Sequence, residues 1–182
     1  IKAVGSLANE YGLPVYATEL VHDGIKRNYC ANPKLKAENI HFLEKGQTLK
    51  LDRFEITPFD VPHDSTDNVG YSVQYGEVNF CLITDAGHVT EQFGGYIARA
   101  NYLVLEANHD EDMLMMGPYP AYLKGRISGD YGHLSNIQSG LAISKLVEKG
   151  AKQIQLCHLS QTNNTPTTAL TSIAATAKNV GI

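Results

Sequence analysis

His63, Asp85 and His158 each close an apolar run: Phe59-Asp60-Val61-Pro62-His63-Asp64, Cys81-Leu82-Ile83-Thr84-Asp85-Ala86-Gly87 and Ile154-Gln155-Leu156-Cys157-His158-Leu159-Ser160. A strand that buries its apolar side chains and ends in an imidazole or carboxylate delivers that group to the edge of a sheet. Three such strands, aligned, bring three groups to one place, and imidazole with carboxylate is a donor mixture that Zn²⁺ and Mn²⁺ accept. The three positions are too far apart in sequence for a helix-borne pair, so the fold has to assemble the site. His133, in Tyr131-Gly132-His133-Leu134-Ser135-Asn136, is a fourth candidate. It stands between a glycine and a helix start, where a side chain can touch an anionic substrate. His88 and His109 follow elements that carry Asp85 and Glu106, and either lines the cleft or faces water. His22 and His41 lie in surface-like segments with no partner nearby and are read as structural.

The surrounding pattern supplies the positioning elements. Residues 1–11 read as a helix stopped by Gly12, Leu13 to Ala17 as a short strand, and Thr18 as the cap of a second helix reaching Arg27. Leu49 to Leu51, Phe54 to Val61, Val69 to Tyr75 and Val78 to Thr84 are candidate strands, the last two joined by a tight turn at Gly76. A helix interrupted by Gly94-Gly95 precedes the buried strand Tyr102 to Ala107. Gly117-Pro118-Tyr119-Pro120 splits Asp110 to Arg126 into two short helices. Ser135-Asn136-Ile137-Gln138 is a capping box for a helix to about Glu148, stopping at Gly150; a strand from Ile154 to Cys157 follows. Thr165 caps, and Pro166 opens, a last helix to about Lys178. Strands first, then alternating helix and strand, give an α+β fold with helices on the outer faces of a sheet-rich core.

A chain of 182 residues with 43% apolar and 19% charged residues suits a single domain, 1–182, with a sizeable core. No apolar stretch is long enough to cross a bilayer, so no membrane partner is expected. Cys30, Cys81 and Cys157 form no CxxC pair, a usage that fits a reducing cytoplasm. The net charge of −4 excludes a general nucleic-acid coat, and a polyanionic substrate needs metal ions or a local basic patch.

Four phrases, taken together and in order, make the chain resemble the metallo-β-lactamase superfamily. They are Pro62-His63-Asp64 leading to Val69-Gly70-Tyr71; Ile83-Thr84-Asp85-Ala86-Gly87; Leu105-Glu106-Ala107-Asn108-His109-Asp110; and Gly132-His133-Leu134-Ser135-Asn136 with Cys157-His158-Leu159-Ser160-Gln161-Thr162-Asn163-Asn164-Thr165-Pro166. The likeness runs over essentially the whole chain, within the ribonuclease Z-like branch, and is strongest to the bacterial YycJ (WalJ) group of metal-dependent hydrolases. It implies an αββα sandwich holding two divalent ions, Zn²⁺ or Mn²⁺, with His63 on one ion, His158 on the other and Asp85 bridging them. It also implies a catalytic role for Asp85, through the ions, and for His133 near the substrate phosphate. Glu106 falls in the phrase where ribonuclease Z has His-Glu-Ala-Thr, but Leu105 replaces that His, so a mechanism using it does not carry over.

The superfamily's His-x-His-x-Asp-His signature has no match here. The resemblance places it just before Ile1, so the chain reads as a domain incomplete at its N-terminus, with an exposed sheet edge that favours a homo-oligomer. The expected activity is metal-dependent phosphodiester hydrolysis of nucleic acid, with DNA exonuclease action preferred to RNA processing. The competing readings are a thioesterase- or lactonase-type hydrolase on the same fold, and a non-catalytic fragment without a complete metal site.

Overall fold

A computed structural model describes residues 2–147 and 151–179. Helix α1 (Val4–Tyr11) stops at Gly12, whose φ of 63° is a left-handed conformation open to glycine at little cost. Strand β1 (Val15–Ala17) leads into Thr18, whose hydroxyl accepts a hydrogen bond from the Val21 N–H and so caps α2 (Glu19–Arg27). Strand β2 (Ile40–Phe42) pairs with β1 in parallel, Val15 opposite Ile40. The sequence pattern did not single out β2, because three residues centred on a histidine show no useful alternation. The pairing also corrects the reading of two histidines. His22 is buried, with Nε2 2.9 Å from the His41 carbonyl and its ring edge-on to Phe42, while His41 stacks on Tyr16. They are neighbours in a small packed unit, not partnerless surface residues.

Strands β3 (Leu49–Leu51), β4 (Phe54–Asp60), β5 (Val69–Tyr75) and β6 (Val78–Ile83) form an antiparallel meander, with Gly76 at φ 58° in its last turn. After α3 (Glu91–Arg99), strand β7 (Tyr102–Glu106) joins β6 in parallel. The short helices α4 (Glu111–Met116) and α5 (Ala121–Ile127) flank the Gly-Pro-Tyr-Pro break. Helix α6 (Asn136–Val147) opens on the expected reciprocal capping box: Ser135 N–H donates to Gln138 Oε1, and Gln138 N–H donates to Ser135 Oγ. Its expected end at Glu148 to Gly150 lies outside the described residues. Strand β8 (Gln153–Cys157) adds parallel to β7, and α7 (Pro166–Asn179) follows, capped by Thr165.

The six strands lie in the order β3-β4-β5-β6-β7-β8. Two chain reversals make β4 parallel to β6, and β7 and β8 then run the same way. Four strands therefore end at one edge of the sheet. One face carries Phe59, Cys81, Ile83, Leu103 and Leu105 into a continuous core with Phe93 and Ile97 of α3, Ile143 of α6 and Ile173 of α7. Gly70 sits across from Phe59 because any Cβ there would fall 2.4 Å from the ring. The alternate residues Leu82 and Val104 face the other side and are half-buried.

The β1–β2 unit is tied to the large sheet through Asp67, in the loop that follows β4. Thr18 Oγ1 donates to Asp67 Oδ2 at 2.5 Å, and Lys45 Nζ lies 2.5 Å from both Asp67 and Asp60. Burial pushes the Asp67 carboxyl up, but the Lys45 and Thr18 hydrogen bonds and the Lys45 charge outweigh it, so its pKa is below the ordinary 3.8. A depressed folded-state value stabilises the fold above that pH, and the contribution is lost as pH falls through the folded value. In denaturant titrations, Asp67→Asn is expected to lower stability at pH 7 and to approach the parent as pH drops below about 4. A deficit that stays constant down to pH 2 would contradict this role.

Candidate metal centre

The shared strand edge collects the groups that the sequence singled out. His63 lies just beyond β4, Asp85 just beyond β6 and His158 directly after β8, while Glu106 is the last residue of β7. His133 enters from the loop between α5 and α6. Asp85 and His158 have φ of 57° and 53°, a conformation that non-glycine residues rarely adopt. Each turn is held by an asparagine: Asn68 donates to the carbonyls of Thr84 and Asp85, at 3.1 and 2.8 Å, and Asn108 donates to that of His158 at 2.9 Å. The backbone joins the segments as well. Gly87 N–H donates to Pro62 O and Asp64 N–H to Tyr131 O. A Cβ on Gly87 would meet Asp130 O at 2.1 Å, and one on Gly132 would meet Ile127 O at 2.1 Å, so only glycine lets these strands and loops close on one another.

Glu106 is at the centre, fully buried. Its Oε1 accepts hydrogen bonds from His133 Nδ1 at 2.8 Å and His158 Nδ1 at 2.5 Å, and its Oε2 accepts from the N–H groups of Ala86 at 2.8 Å and Leu134 at 3.4 Å. Burial alone would raise its pKa. The imidazole hydrogen bonds, the His133 charge and the Ala86 N–H outweigh burial and hold it down at about 2. The same hydrogen bond raises the pKa of His158 against its own partial burial.

Three imidazoles surround a single oxygen, Asp85 Oδ1: His158 Nε2 at 3.6 Å, His63 Nε2 at 3.7 Å and His133 Nδ1 at 4.0 Å. His63 Nδ1 is 3.0 Å from the Gly132 carbonyl. With Nδ1 donating there, and His158 Nδ1 donating to Glu106, the neutral form of each ring keeps its Nε2 lone pair beside Asp85.

Residues 2–159 match the family model described as a beta-lactamase superfamily domain. The chain is 34% identical over 181 residues to the exodeoxyribonuclease YycJ of Bacillus anthracis, covering all of this chain and 67% of that protein. The metallo-β-lactamase superfamily claims this chain. Within it, the likeness lies in the YycJ group. Among solved structures, the metallo-β-lactamase fold protein YhfI from Bacillus subtilis superposes with a TM-score of 0.63 at 18% identity, over 96% of this chain and 62% of that one. Zn²⁺-bound PqqB from Methylobacterium extorquens gives 0.63 at 19% identity, over 94% and 64%. The chain thus spans about two thirds or less of the length of the proteins it matches. The α+β architecture with helices outside the sheet is that of the superfamily.

The superfamily fold implies divalent metals, and the donors at this edge fit them. Asp85, Glu106, His133 and His158 each offer a ligand atom, all within 4.8 Å of one another. His63 stands outside that group of four but beside Asp85. A separation of 3.6–3.7 Å from Nε2 to Oδ1 is too long for a hydrogen bond. It is close to the roughly 3.4 Å between two ligands of a tetrahedral ion with bonds of about 2.1 Å. Imidazoles whose second nitrogen is held by a carboxylate or carbonyl are the usual arrangement around such ions.

All four sequence candidates, His63, Asp85, His133 and His158, therefore converge. His88 does not join them: its Nδ1 lies against the Asp130 carbonyl. His109 is buried beside the Ser135 backbone, outside the group of four. Glu106 is the residue that sequence reasoning left without a role. The available signal was its place at the end of an uninterrupted apolar strand, where a buried carboxylate needs partners. Glu106→Gln is expected to turn an NH₂ group toward existing donors and to cost about 1–3 kcal/mol of stability. It is also expected to weaken divalent-ion binding about 10–100-fold, read by calorimetric titration. Unchanged ion affinity would remove Glu106 from the centre.

Proposed function

We propose that this centre hydrolyses phosphodiester bonds in nucleic acid, most directly as a DNA exonuclease. The observation that carries the reading is the pair of free Nε2 atoms, of His63 and His158, on either side of Asp85 Oδ1, with Glu106 fixing the rings behind. His63, Asp85 and His158 would hold two divalent ions, zinc or manganese, with the carboxylate shared. The bound ions would supply Lewis acidity, making a nucleophile available near pH 7 and offsetting negative charge on the phosphate. The rest of the chemistry belongs to the chain. Glu106 holds His158 and His133 in fixed orientations through their Nδ1 atoms. His133 then has Nε2 for the substrate; as an imidazolium it donates a hydrogen bond to a phosphate oxygen, or a proton to the leaving oxygen. The name of the Bacillus anthracis relative supports a DNA substrate over an acyl one.

The test uses the full-length gene product on labelled single- and double-stranded DNA and on RNA. Cleavage is expected to stop on chelation, to return with Mn²⁺ or Zn²⁺, and to fall at least about 1,000-fold in Asp85→Ala and His63→Ala. Full activity in Asp85→Ala, or cleavage indifferent to chelation, overturns the assignment. His133→Ala is expected to lower kcat about 100-fold while ion content stays at the parent level.

A further inference from the structure

Next to His63 and His133 lies a cleft of about 230 Å³ whose other walls include Asp64, Tyr119, Leu123 and Arg126. It is smaller than the ~300–1,000 Å³ of clefts that enclose a whole small-molecule ligand, so it suits one unit of a longer substrate. Its chemistry is divided. Tyr119 and Leu123 are half-buried and offer an aromatic and an aliphatic surface. Arg126 is the Lys or Arg side chain among its lining residues, and it is exposed.

Asp64 holds that guanidinium as a fork, through Nε to Oδ2 at 2.5 Å and Nη2 to Oδ1 at 3.0 Å. A guanidinium has five N–H donors, so this grip leaves others free, in a group whose planar shape matches phosphate. An exposed pair of this kind contributes little to stability, so its sequence position needs another reason. Asp64 and the residue after Arg126 are both anchored by backbone. Asp64 N–H bonds to Tyr131 O and His133 N–H to Ile127 O, which locks the end of α5 against the His133 loop. Arg126 is thereby aimed at the cleft rather than left to sweep through solvent.

We propose that this cleft is the subsite for the nucleotide next to the scissile bond, with Arg126 binding its phosphate and Tyr119 stacking on its base. The proposal rests on the phosphodiesterase reading above and adds the residues that select a polynucleotide over a small ester. The role of Asp64 is positioning: it orients Arg126 without occupying all of its donors.

The experiment compares the full-length protein with Arg126→Gln, Arg126→Lys, Tyr119→Ala and Tyr119→Phe. Binding of a labelled, cleavage-resistant phosphorothioate oligothymidine to the ion-loaded protein is followed by anisotropy against salt. Arg126→Gln is expected to weaken binding about tenfold and to reduce the slope of log K against log salt by about 0.7, with Arg126→Lys retaining most of the slope. Tyr119→Ala is expected to cost about tenfold, and Tyr119→Phe less than about threefold, because stacking needs the ring and not the hydroxyl. In cleavage, Arg126→Gln is expected to raise KM for the oligonucleotide and to lose at least tenfold more kcat/KM there than on bis(p-nitrophenyl) phosphate. Equal losses on the two substrates with a fall in kcat mean that Arg126 only braces His63 through Asp64, whose Oδ1 lies 3.6 Å from His63 Nε2, and overturn the subsite. An unaltered salt slope does the same. If the parent protein cleaves no phosphodiester, the phosphodiesterase reading fails on its own, and the binding slopes still decide the subsite.

Discussion

A carboxylate with no solvent contact sits at the end of the central parallel strand, and the surrounding structure is arranged to keep it charged. The effective cost of burying an ion is several kcal/mol, so Glu106 is tolerable only with its lone pairs used. The four donors come from three stretches of chain: Ala86 in the turn after β6, His133 and Leu134 in the loop before α6, and His158 after β8. Each must arrive in register for the charge to be satisfied. One buried charge thus couples the β6, β7 and β8 ends and the α5–α6 loop into one unit, and orders two imidazoles as it does so.

Local backbone cost is concentrated at the same edge. Asp85 and His158 adopt left-handed turns that a glycine would take more easily. Glycine has no side chain to present at this edge, so a carboxylate or imidazole placed at a tight strand exit has to accept this conformation. Asn68 and Asn108 cap the two turns by donating to their carbonyls. Glycine is instead used nearby, at positions 87 and 132, where backbone meets backbone at distances that exclude a Cβ. The two solutions are complementary: strain where a functional group is needed, and a bare backbone where only closeness matters.

Much of this was legible in the sequence because strand periodicity and caps are local. The meander from Leu49 to Ile83, the capping box at Ser135 and the Thr165-Pro166 helix start follow from residues within a few positions of one another. The convergence of His63, Asp85 and His158 depends on β4, β6 and β8 running the same way, which two reversals and two crossovers bring about; periodicity says nothing of direction. Glu106 was hidden for a related reason. A carboxylate after an apolar run looks like an ordinary strand exit, and its partners lie 20 to 52 residues away. His22 was misread because burial came from β2, a strand too short to show itself in the pattern.

The electrostatic balance of the edge links its ion chemistry to its substrate. Asp64, Asp85 and Glu106 bring three carboxylates to the site, while Arg126 is the guanidinium beside it. With neutral imidazoles this edge is negative, on a chain whose net charge is already −4. A polyanion approaching it meets repulsion unless positive charge is added, and divalent ions bound at this edge would supply that charge. Of the three carboxylates, Asp64 is taken by Arg126 and Glu106 by its four donors, which leaves Asp85 as the one suited to an ion. Under the phosphodiesterase reading, ion binding is therefore a condition for productive substrate binding as well as for chemistry. Under the same reading, Arg126 would supply a cation independent of the ions, set to one side for a neighbouring phosphate.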